Sequence, residues 1–312
     1  MSFDRPQMID LGEVELEVFT FGERTSPDRA VMLCHGWPEH AFSWRHQIEP
    51  LVAAGYHVIV PNQRGYGRSS APEAVADYSI RHLTNDLAAL LDHFEYEQAV
   101  LVGHDWGAIV VWNFALLQPQ RLKALANLSV PFMQRFDTEW VTLWEQMLGP
   151  DFYIVHFNRQ PGVADAVFDT HREQFLRNMY RTRQWEEPAP ELGEGMPLIR
   201  LAERTEPMPG IPLMSDDELA VFANAFAHSG FRGGINWYRN LPNNWALLAD
   251  VPQTVPHPAL MIHGSYDIVP PSATLKDHVP AVEVHTLPCG HWIQQECPEE
   301  TNQLLLDWLS RL

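Results

Sequence analysis

Cysteine is scarce in this chain, which has three among its 312 residues: Cys34, Cys289 and Cys297. Their odd number argues against a disulfide framework, and their spacing matches no metal-binding motif. The chain also starts without the basic and then apolar segments of a secretory signal. These features predict a reducing compartment, so we expect a cytoplasmic protein that binds no metal.

Positively charged residues and long apolar runs are also scarce in this chain. The 21 Lys and Arg residues are outnumbered by 40 Asp and Glu residues, which gives a formal net charge of -19. Because binding a phosphate backbone requires a positive surface, nucleic acid is excluded as a partner. No apolar run is long enough to cross a bilayer, so no membrane association is expected. Small uncharged substrates remain compatible with this composition.

The remaining composition is that of a globular protein, with 46% hydrophobic and 20% charged residues. Short apolar strands alternate with segments of helical periodicity up to residue 128. This alternation favours a mainly parallel sheet with helices on both faces. An antiparallel hairpin of residues 9–11 and 14–19 is the expected exception.

The pattern changes after Phe132, where aromatic and charged residues follow at helical spacing for about a hundred residues. The strand pattern resumes at residues 259–263 and 282–287. We therefore predict an α/β core domain formed by residues 1–132 and 251–312, and a helical cap, or lid, formed by residues 133–250.

The segment from Val100 to Ala108, Val-Leu-Val-Gly-His-Asp-Trp-Gly-Ala, predicts a strand, a sharp turn and the start of a helix. An elbow of this kind raises the side chain between its two glycines at the end of a sheet. Its serine version is Gly-x-Ser-x-Gly. Here the raised residue is Asp105, which makes this aspartate the candidate nucleophile.

In such elbows an acid and then a histidine follow in the chain, each in a loop after a late strand. Asp267 and His291 occupy these two places. The competing place for the acid, after residues 122–128, contains Asn127 and Ser129 but no carboxylate. We therefore predict that His291 is a general base and that Asp267 orients it.

An aspartate nucleophile restricts the substrate. Its unperturbed pKa of about 3.9 means that it is ionised at neutral pH without a base. Attack on an acyl carbon would give a reactive anhydride, whereas attack on a saturated carbon gives an alkyl ester. His291 would then activate water against that ester, and the amides of Trp37 and Trp106 would stabilise the oxyanion. Esterase and peptidase activities are therefore disfavoured.

The leaving group on saturated carbon is either a halide, which needs N–H donors, or an epoxide oxygen, which needs an acid. Tyrosine, with an ordinary pKa of about 10, is protonated at neutral pH and can donate. The predicted cap contains Tyr153, Tyr180 and Tyr238. Tyr180 lies among three arginines and is interpreted as part of a solvated face. Tyr153 and Tyr238 lie in apolar segments, where an ordinary core role is the alternative.

Three histidines have other interpretations. His104, inside the elbow, is interpreted as a spacer, and His263 as a residue packed at a strand end. His156 follows Tyr153 by one helical turn. It is expected either to line the substrate pocket or to pack in the core.

Six segments together resemble the soluble epoxide hydrolases of the α/β-hydrolase superfamily, and they span nearly the whole chain. They are His35-Gly-Trp-Pro, residues 62–70, Gly-His-Asp-Trp-Gly, Gln160-Pro-Gly-Val, Asn-Trp-Tyr-Arg-Asn240 and Gly-His-Trp292. The resemblance implies an α/β-hydrolase fold, a mostly parallel eight-stranded sheet flanked by helices, with a helical cap inserted after the sixth strand. It also implies hydrolysis of an epoxide to a vicinal diol without a cofactor.

The residues implied by this resemblance are Asp105 as nucleophile, His291 and Asp267 as the water-activating pair, and Tyr153 and Tyr238 as acids on the epoxide oxygen. A cis peptide bond is implied at Trp37-Pro38. Asn62 departs from the family, where an aspartate is usual, and this puts the stability of its loop in question. The expected substrate is a small apolar epoxide, contacted by Trp106, Phe132, Tyr153, Tyr238 and Trp292.

Two other functions share parts of this pattern. Haloalkane and haloacid dehalogenases use the same elbow, but haloalkane dehalogenases usually place Asn at the position of Trp37, and fluoroacetate dehalogenases place Arg at that of Trp106. Both differences favour an epoxide. A hydrolase-fold receptor without turnover could lose a catalytic residue, yet all five positions are occupied here. The sequence leaves open whether the chain forms a homo-oligomer.

Overall fold

The computed structural model describes residues 3–312, which form two compact units. The first unit comprises the described residues up to Gln63 together with residues 81–134 and 251–312. The second comprises residues 64–80 and 135–250. Residues 64–80, which we assigned to the core domain, therefore group with the helical unit. No helix within residues 3–312 has the length and hydropathy needed to cross a bilayer.

The strands of the described residues are β1 (Gln7–Asp10), β2 (Glu15–Phe21), β3 (Ala30–Cys34), β4 (His57–Pro61), β5 (Ala99–His104), β6 (Leu122–Leu128), β7 (Arg181–Thr182), β8 (Ile211–Pro212), β9 (Ala259–Gly264) and β10 (Val282–Leu287). Among them, eight strands form one sheet in the order β1-β2-β4-β3-β5-β6-β9-β10. The β1/β2 and β2/β4 pairs are antiparallel, and the other neighbours are parallel. The predicted hairpin and the mostly parallel eight-stranded sheet are therefore confirmed.

The α-helices are α1 (Arg45–Ala53), α2 (Ile80–His93), α3 (Trp106–Leu117), α4 (Trp140–Leu148), α5 (Tyr153–Arg159), α6 (Val163–Thr170), α7 (Arg172–Met179), α8 (Pro197–Glu203), α9 (Asp216–Ser229), α10 (Arg232–Arg239), α11 (Leu241–Leu247), α12 (Leu275–His278), α13 (Ile293–Glu296) and α14 (Pro298–Leu309). Helices α4 to α11 follow β6 and precede β9, so they belong to the second unit.

The central strands are buried along their whole length. Every residue of β3, β4, β5 and β9 is buried, as expected for strands covered on both faces. Apolar side chains from these strands pack with Trp44, Ile48 and Trp308 in one hydrophobic core. Since β3, β5, β6 and β9 are parallel neighbours, the loops that follow them emerge at the same edge of the sheet.

Asn62, the residue that departs from the family pattern, is buried, and both its side-chain oxygen and its side-chain nitrogen form hydrogen bonds. Its side-chain carbonyl accepts a hydrogen bond from the Ala41 amide at 2.8 Å, and its Nδ2 donates to the Glu17 carboxylate at 2.6 Å. An aspartate here would place a second carboxylate against Glu17, which would be repulsive. Asn62 therefore pairs with Glu17 without placing a second carboxylate beside it.

Tyr180 is not on a solvated face, so that interpretation was wrong. Its side chain is 1% exposed, and its ring packs on Phe222 with centroids 4.9 Å apart. The neighbouring arginines point to other partners: Arg177 pairs with Asp216, and Arg181 donates to backbone carbonyls near residue 210. Long arginine side chains reach polar groups while leaving an adjacent ring in the core, which sequence neighbours alone do not reveal.

Candidate active site

The elbow places Asp105 between β5 and α3 in a strained backbone conformation. Its φ is 51° and its ψ is -118°, values that a side chain other than glycine seldom adopts. A Cβ on Gly107 would lie 2.0 Å from the Cys34 carbonyl oxygen, and one on Gly36 would lie 2.5 Å from the Asp105 side chain. Glycine is therefore required at both positions for this close approach of backbone and side chain.

The buried carboxylate of Asp105 is contacted by a main-chain amide and by His291. The Trp37 amide donates a hydrogen bond to Oδ1 at 2.8 Å, and the His291 Nε2 lies 3.6 Å from Oδ2. Trp106 is the first residue of α3, where an amide has no carbonyl partner within its own helix. The Trp37-Pro38 bond is cis, as the resemblance implies.

His291 and Asp267 form a close pair, with 2.9 Å between the Nδ1 of His291 and the Oδ1 of Asp267. The Val269 amide also donates to this carboxylate oxygen at 2.9 Å. Burial raises the pKa of Asp267, but the charge and hydrogen bond of His291, the Ser129 hydroxyl and the Val269 amide outweigh it, so the pKa is lowered to about 2. Asp267 is therefore ionised at neutral pH.

The pKa of His291 is raised well above its usual range. Burial lowers this pKa, whereas the charges of Asp267 and Asp105 and the hydrogen bonds to both carboxylates raise it. Two carboxylates on opposite ring nitrogens thus stabilise the imidazolium.

The main chain around His291 is held by two polar side chains that the sequence analysis did not single out for this role. The Glu296 carboxylate accepts hydrogen bonds from the amides of Gly290 and Trp292, each at 3.0 Å. The His104 Nε2 lies 2.8 Å from the His291 carbonyl oxygen. His104 is thus more than a spacer in the elbow, and that interpretation was wrong.

Glu39 completes this network from the segment after β3. It is fully buried, and its carboxylate lies 2.7 Å from the His104 Nδ1. It also accepts hydrogen bonds from the Gly36 amide at 2.9 Å and the Gln294 side chain at 3.0 Å. Burial raises the pKa of Glu39, but His104 and the Gly36 amide outweigh it and lower the pKa to about 2.

Tyr153 and Tyr238 are brought together within the second unit although they are distant in sequence. Their ring centroids are 5.6 Å apart at an interplanar angle of 76°, and Phe157 packs edge to face against both rings. Tyr238 is buried, and Tyr153 is partly buried at the first position of α5. Their side chains therefore form one aromatic cluster on helices α5 and α10.

Helix α10, which carries Tyr238, is anchored by the residues on either side of this tyrosine. The Trp237 Nε1 donates to the Arg64 carbonyl at 3.2 Å. Arg239 forms an ion pair with Asp165 at 2.5 Å, and both side chains are largely buried. The motif at residues 62–70 therefore supplies an anchor for α10, a role that its turn-rich composition did not reveal.

Three further predicted contact residues lie in the first unit. The Trp292 ring packs against His291 with centroids 4.8 Å apart. Phe132 stacks on His278 with centroids 5.2 Å apart, and Trp106 is buried at the start of α3. Their contact with a substrate stays a prediction.

Two histidines keep the interpretations given above. His263 is buried in β9, at the strand end where packing was expected. His156 is buried on α5, and this burial lowers its pKa although Asp151 raises it. The choice between a pocket role and a packing role for His156 stays open.

Comparison with known proteins agrees with this geometry. The family model described as alpha/beta hydrolase fold matches residues 29–298. Epoxide hydrolase A of Mycobacterium tuberculosis is 39% identical, covering 98% of this chain and 97% of its own. The chain belongs to the epoxide hydrolase family of the α/β-hydrolase fold. Epoxide hydrolase 2 of Siraitia grosvenorii, 35% identical, covers 90% of this chain and 92% of its own.

Solved structures of this epoxide hydrolase family have the same fold. Epoxide hydrolase A of Mycobacterium thermoresistibile is 40% identical and superposes with a TM-score of 0.87, over 98% of both chains. An epoxide hydrolase of Vigna radiata is 31% identical and superposes with a TM-score of 0.88 over the whole of both chains. The resemblance and the fold class inferred from the sequence are thereby confirmed.

In this member of the epoxide hydrolase family, we expect that removing the charge of Glu39, the buried partner of His104, lowers the stability of the fold. We expect Glu39→Gln to lower the free energy of unfolding at pH 7 by about 3 kcal/mol, since it leaves His104 without its buried partner. Because the pKa of Glu39 falls from 4.5 to about 2 on folding, its contribution is present above pH 4.5 and lost as the pH falls towards 2. Urea unfolding at several pH values measures both effects.

The matched control is Glu95→Gln, which removes an exposed pair with Arg24. We expect this change to alter the free energy of unfolding by less than about 1 kcal/mol. Equal losses for the two variants, or a Glu39→Gln loss that does not shrink below pH 4.5, would contradict the role assigned to the buried pair.

Proposed function

We propose that this chain hydrolyses epoxides to vicinal diols through a covalent alkyl ester on Asp105. The observation that carries the proposal is an aspartate, rather than a serine, at the elbow, 3.6 Å from a histidine that is itself paired with Asp267. Such a carboxylate attacks saturated carbon without needing a base. The names of the relatives, all epoxide hydrolases, point to the same reaction.

In the first step, an Asp105 oxygen forms a bond to one epoxide carbon as the bond from that carbon to the ring oxygen breaks. The released oxygen would be a poorly stabilised alkoxide, so it must take a proton. We assign that proton to one of Tyr153 and Tyr238, whose rings are neighbours and which becomes a tyrosinate, and we assign to the other hydroxyl a hydrogen bond to the same oxygen. The product is a hydroxyalkyl ester of Asp105.

In the second step, His291 removes a proton from water, and the water oxygen attacks the ester carbonyl carbon of Asp105. Formation of the ester prepares His291 for this task, because it removes one of the two negative charges that raise the His291 pKa. The Trp37 amide, which donates to the Asp105 Oδ1 at 2.8 Å, is assigned to the oxyanion together with the Trp106 amide. The oxyanion then collapses, the ester C–O bond breaks, and the leaving alkoxide takes from His291 the proton that came from water, which releases the diol. The proton left on the Asp105 carboxyl returns to the tyrosinate formed in the first step, which restores Asp105.

The expected substrate is a small apolar epoxide, and the residues assigned to its binding are Trp106, Phe132, Tyr153, Tyr238 and Trp292. A cytoplasmic location is proposed with it, because Cys34, Cys289 and Cys297 carry free thiols. No cofactor enters either step, since an ionised carboxylate, a histidine and tyrosine hydroxyls supply every group that moves.

The acid role of Tyr153 and Tyr238 distinguishes epoxide hydrolysis from dehalogenation, because a halide leaves without a proton from an acid. We expect the wild type to convert styrene oxide to its diol and to release no chloride from a chlorinated alkane. Changing Tyr153 and Tyr238 together to Phe should lower the epoxide turnover roughly 10²–10⁴-fold, the usual contribution of general acid catalysis. Side-by-side assays of diol and chloride measure both reactions.

The control for these changes is Tyr180→Phe, which alters a buried tyrosine elsewhere in the second unit. Its turnover of styrene oxide should match that of the wild type. Chloride release without diol formation would replace the proposed reaction with dehalogenation. Binding of epoxides with no turnover by the wild type would favour a receptor.

A further inference from the structure

Ser129 follows β6 in a conformation that serine seldom adopts. It is fully buried, and its φ is 70°. Its amide donates to the Ile262 carbonyl of β9 at 3.0 Å, which fixes its backbone to the neighbouring strand. Unusual backbone conformations persist where the surrounding structure enforces them and are concentrated at functional sites. The direction of the Ser129 side chain is therefore set by the sheet.

The Ser129 hydroxyl lies beside the Nδ1 of His291. The Ser129 Oγ lies 3.0 Å from the His291 Nδ1, and the Asp267 Oδ1 lies 2.9 Å from the same nitrogen. The same hydroxyl is among the groups that lower the pKa of Asp267. The side chains of Ser129 and Asp267 thus contact His291 at one nitrogen.

The chemistry of these groups assigns a direction to each hydrogen bond. An ionised carboxylate can only accept, so the His291 Nδ1 carries the proton that it donates to Asp267, and the Ser129 oxygen faces the same proton as an acceptor. This arrangement fixes the plane of the imidazole and keeps the proton on Nδ1. The Nε2 is then the nitrogen left to take a proton from water.

We propose that Ser129 is a positioning residue for the ester-hydrolysis step, acting through the Nδ1 of His291. This inference rests on the proposed function. The 3.0 Å contact between the Ser129 Oγ and the His291 Nδ1 carries it, because a second acceptor at this nitrogen holds the ring in the orientation that directs Nε2 towards Asp105.

The first test separates the two chemical steps in single turnovers of styrene oxide. Ser129→Ala should form the ester at a rate within about twofold of the wild type but hydrolyse it about tenfold more slowly, the cost of one hydrogen bond to a charged group. Ser129→Gly, which also relieves the backbone strain, should show the same slowing. A Ser129→Gly variant with the wild-type hydrolysis rate would overturn the role of the hydroxyl.

Ser265 offers a matched control, because its hydroxyl donates to the Leu287 carbonyl at 3.1 Å in the same region. Ser265→Ala should leave both steps unchanged. An equal slowing in Ser265→Ala and Ser129→Ala would show a general loss of local order and overturn the proposal.

A measurement without substrate distinguishes failure of this inference from failure of the proposed function. The Nδ1 proton of His291 should give a low-field proton resonance in the free protein, which Ser129→Ala shifts and Ser265→Ala does not. An unshifted resonance in Ser129→Ala would overturn the positioning role even if styrene oxide were not turned over. Absence of any ester in the wild type would instead count against the proposed function alone.

Discussion

Asp105→Asn lowers the turnover of styrene oxide by at least about 10⁴-fold, the scale of loss when a nucleophile is removed. The amide is a far weaker nucleophile than the carboxylate, and no other carboxylate at the elbow can replace it. The amide has nearly the same size and can still accept from the Trp37 amide, so the fold should be kept. Steady-state kinetics and thermal unfolding measure the two quantities.

The same variant tests the electrostatics of the site. Asp105 is one of the two carboxylates that raise the pKa of His291, so Asp105→Asn should lower that pKa. Titration of the imidazole by NMR gives the direction of the shift. An unchanged His291 pKa, or residual turnover within 100-fold of the wild type, would contradict the arrangement proposed here.

His291→Gln separates the two steps. Attack by Asp105 needs no base, so the variant should react with one equivalent of epoxide and then stop. The alkyl ester should accumulate on the peptide that contains Asp105, while steady-state turnover falls by at least about 10³-fold. Mass spectrometry of the digested protein detects the added mass of one epoxide on that peptide.

A surface histidine provides the control for this change. His285 pairs with Glu283 on β10, and both side chains are partly exposed. His285→Gln should keep full turnover and accumulate no ester. A His291→Gln variant that binds epoxide but never carries a mass adduct at Asp105 would exclude a two-step mechanism.

Much of the α/β architecture follows from local pattern. Buried strands such as β3 and β5 are continuous apolar runs, and the two glycines around Asp105 mark a turn that admits no larger residue at position 107. Chain order then places Asp267 and His291 after late strands. Because parallel strands end at one edge of the sheet, sequence order alone could predict that these side chains meet.

The hydrogen bonds that hold the candidate active site in place could not be predicted in the same way. His104 and Glu296 contact the main chain around His291, and Glu39 contacts His104 and, 255 residues along the chain, the side chain of Gln294. Each contact depends on a particular side-chain direction. Ser129 was noted only because it is not a carboxylate, and its contact with the His291 Nδ1 depends on a positive φ. No local periodicity encodes such a conformation.

The sequence also could not show which residues from distant segments lie next to Asn62 and Tyr180. From the sequence, Asn62 put the stability of its loop in question, whereas in the structure its Nδ2 donates to the Glu17 carboxylate. The charged neighbours of Tyr180 suggested that its ring is exposed, whereas the ring is buried. In both cases a partner from a distant segment decides the environment. Sequence neighbours are therefore a poor guide to the burial of single polar or aromatic residues.

The central claim is that Asp105 forms a covalent ester and that water attacks the carbonyl carbon of that ester. A single turnover of styrene oxide by excess enzyme in ¹⁸O-labelled water tests it most directly, with mass spectrometry of both the diol and the peptide that contains Asp105. The account predicts an unlabelled diol and one ¹⁸O atom in the Asp105 carboxylate, since the oxygen added to the diol comes from Asp105. A labelled diol and an unlabelled Asp105 would contradict it, because water would then have attacked the epoxide directly.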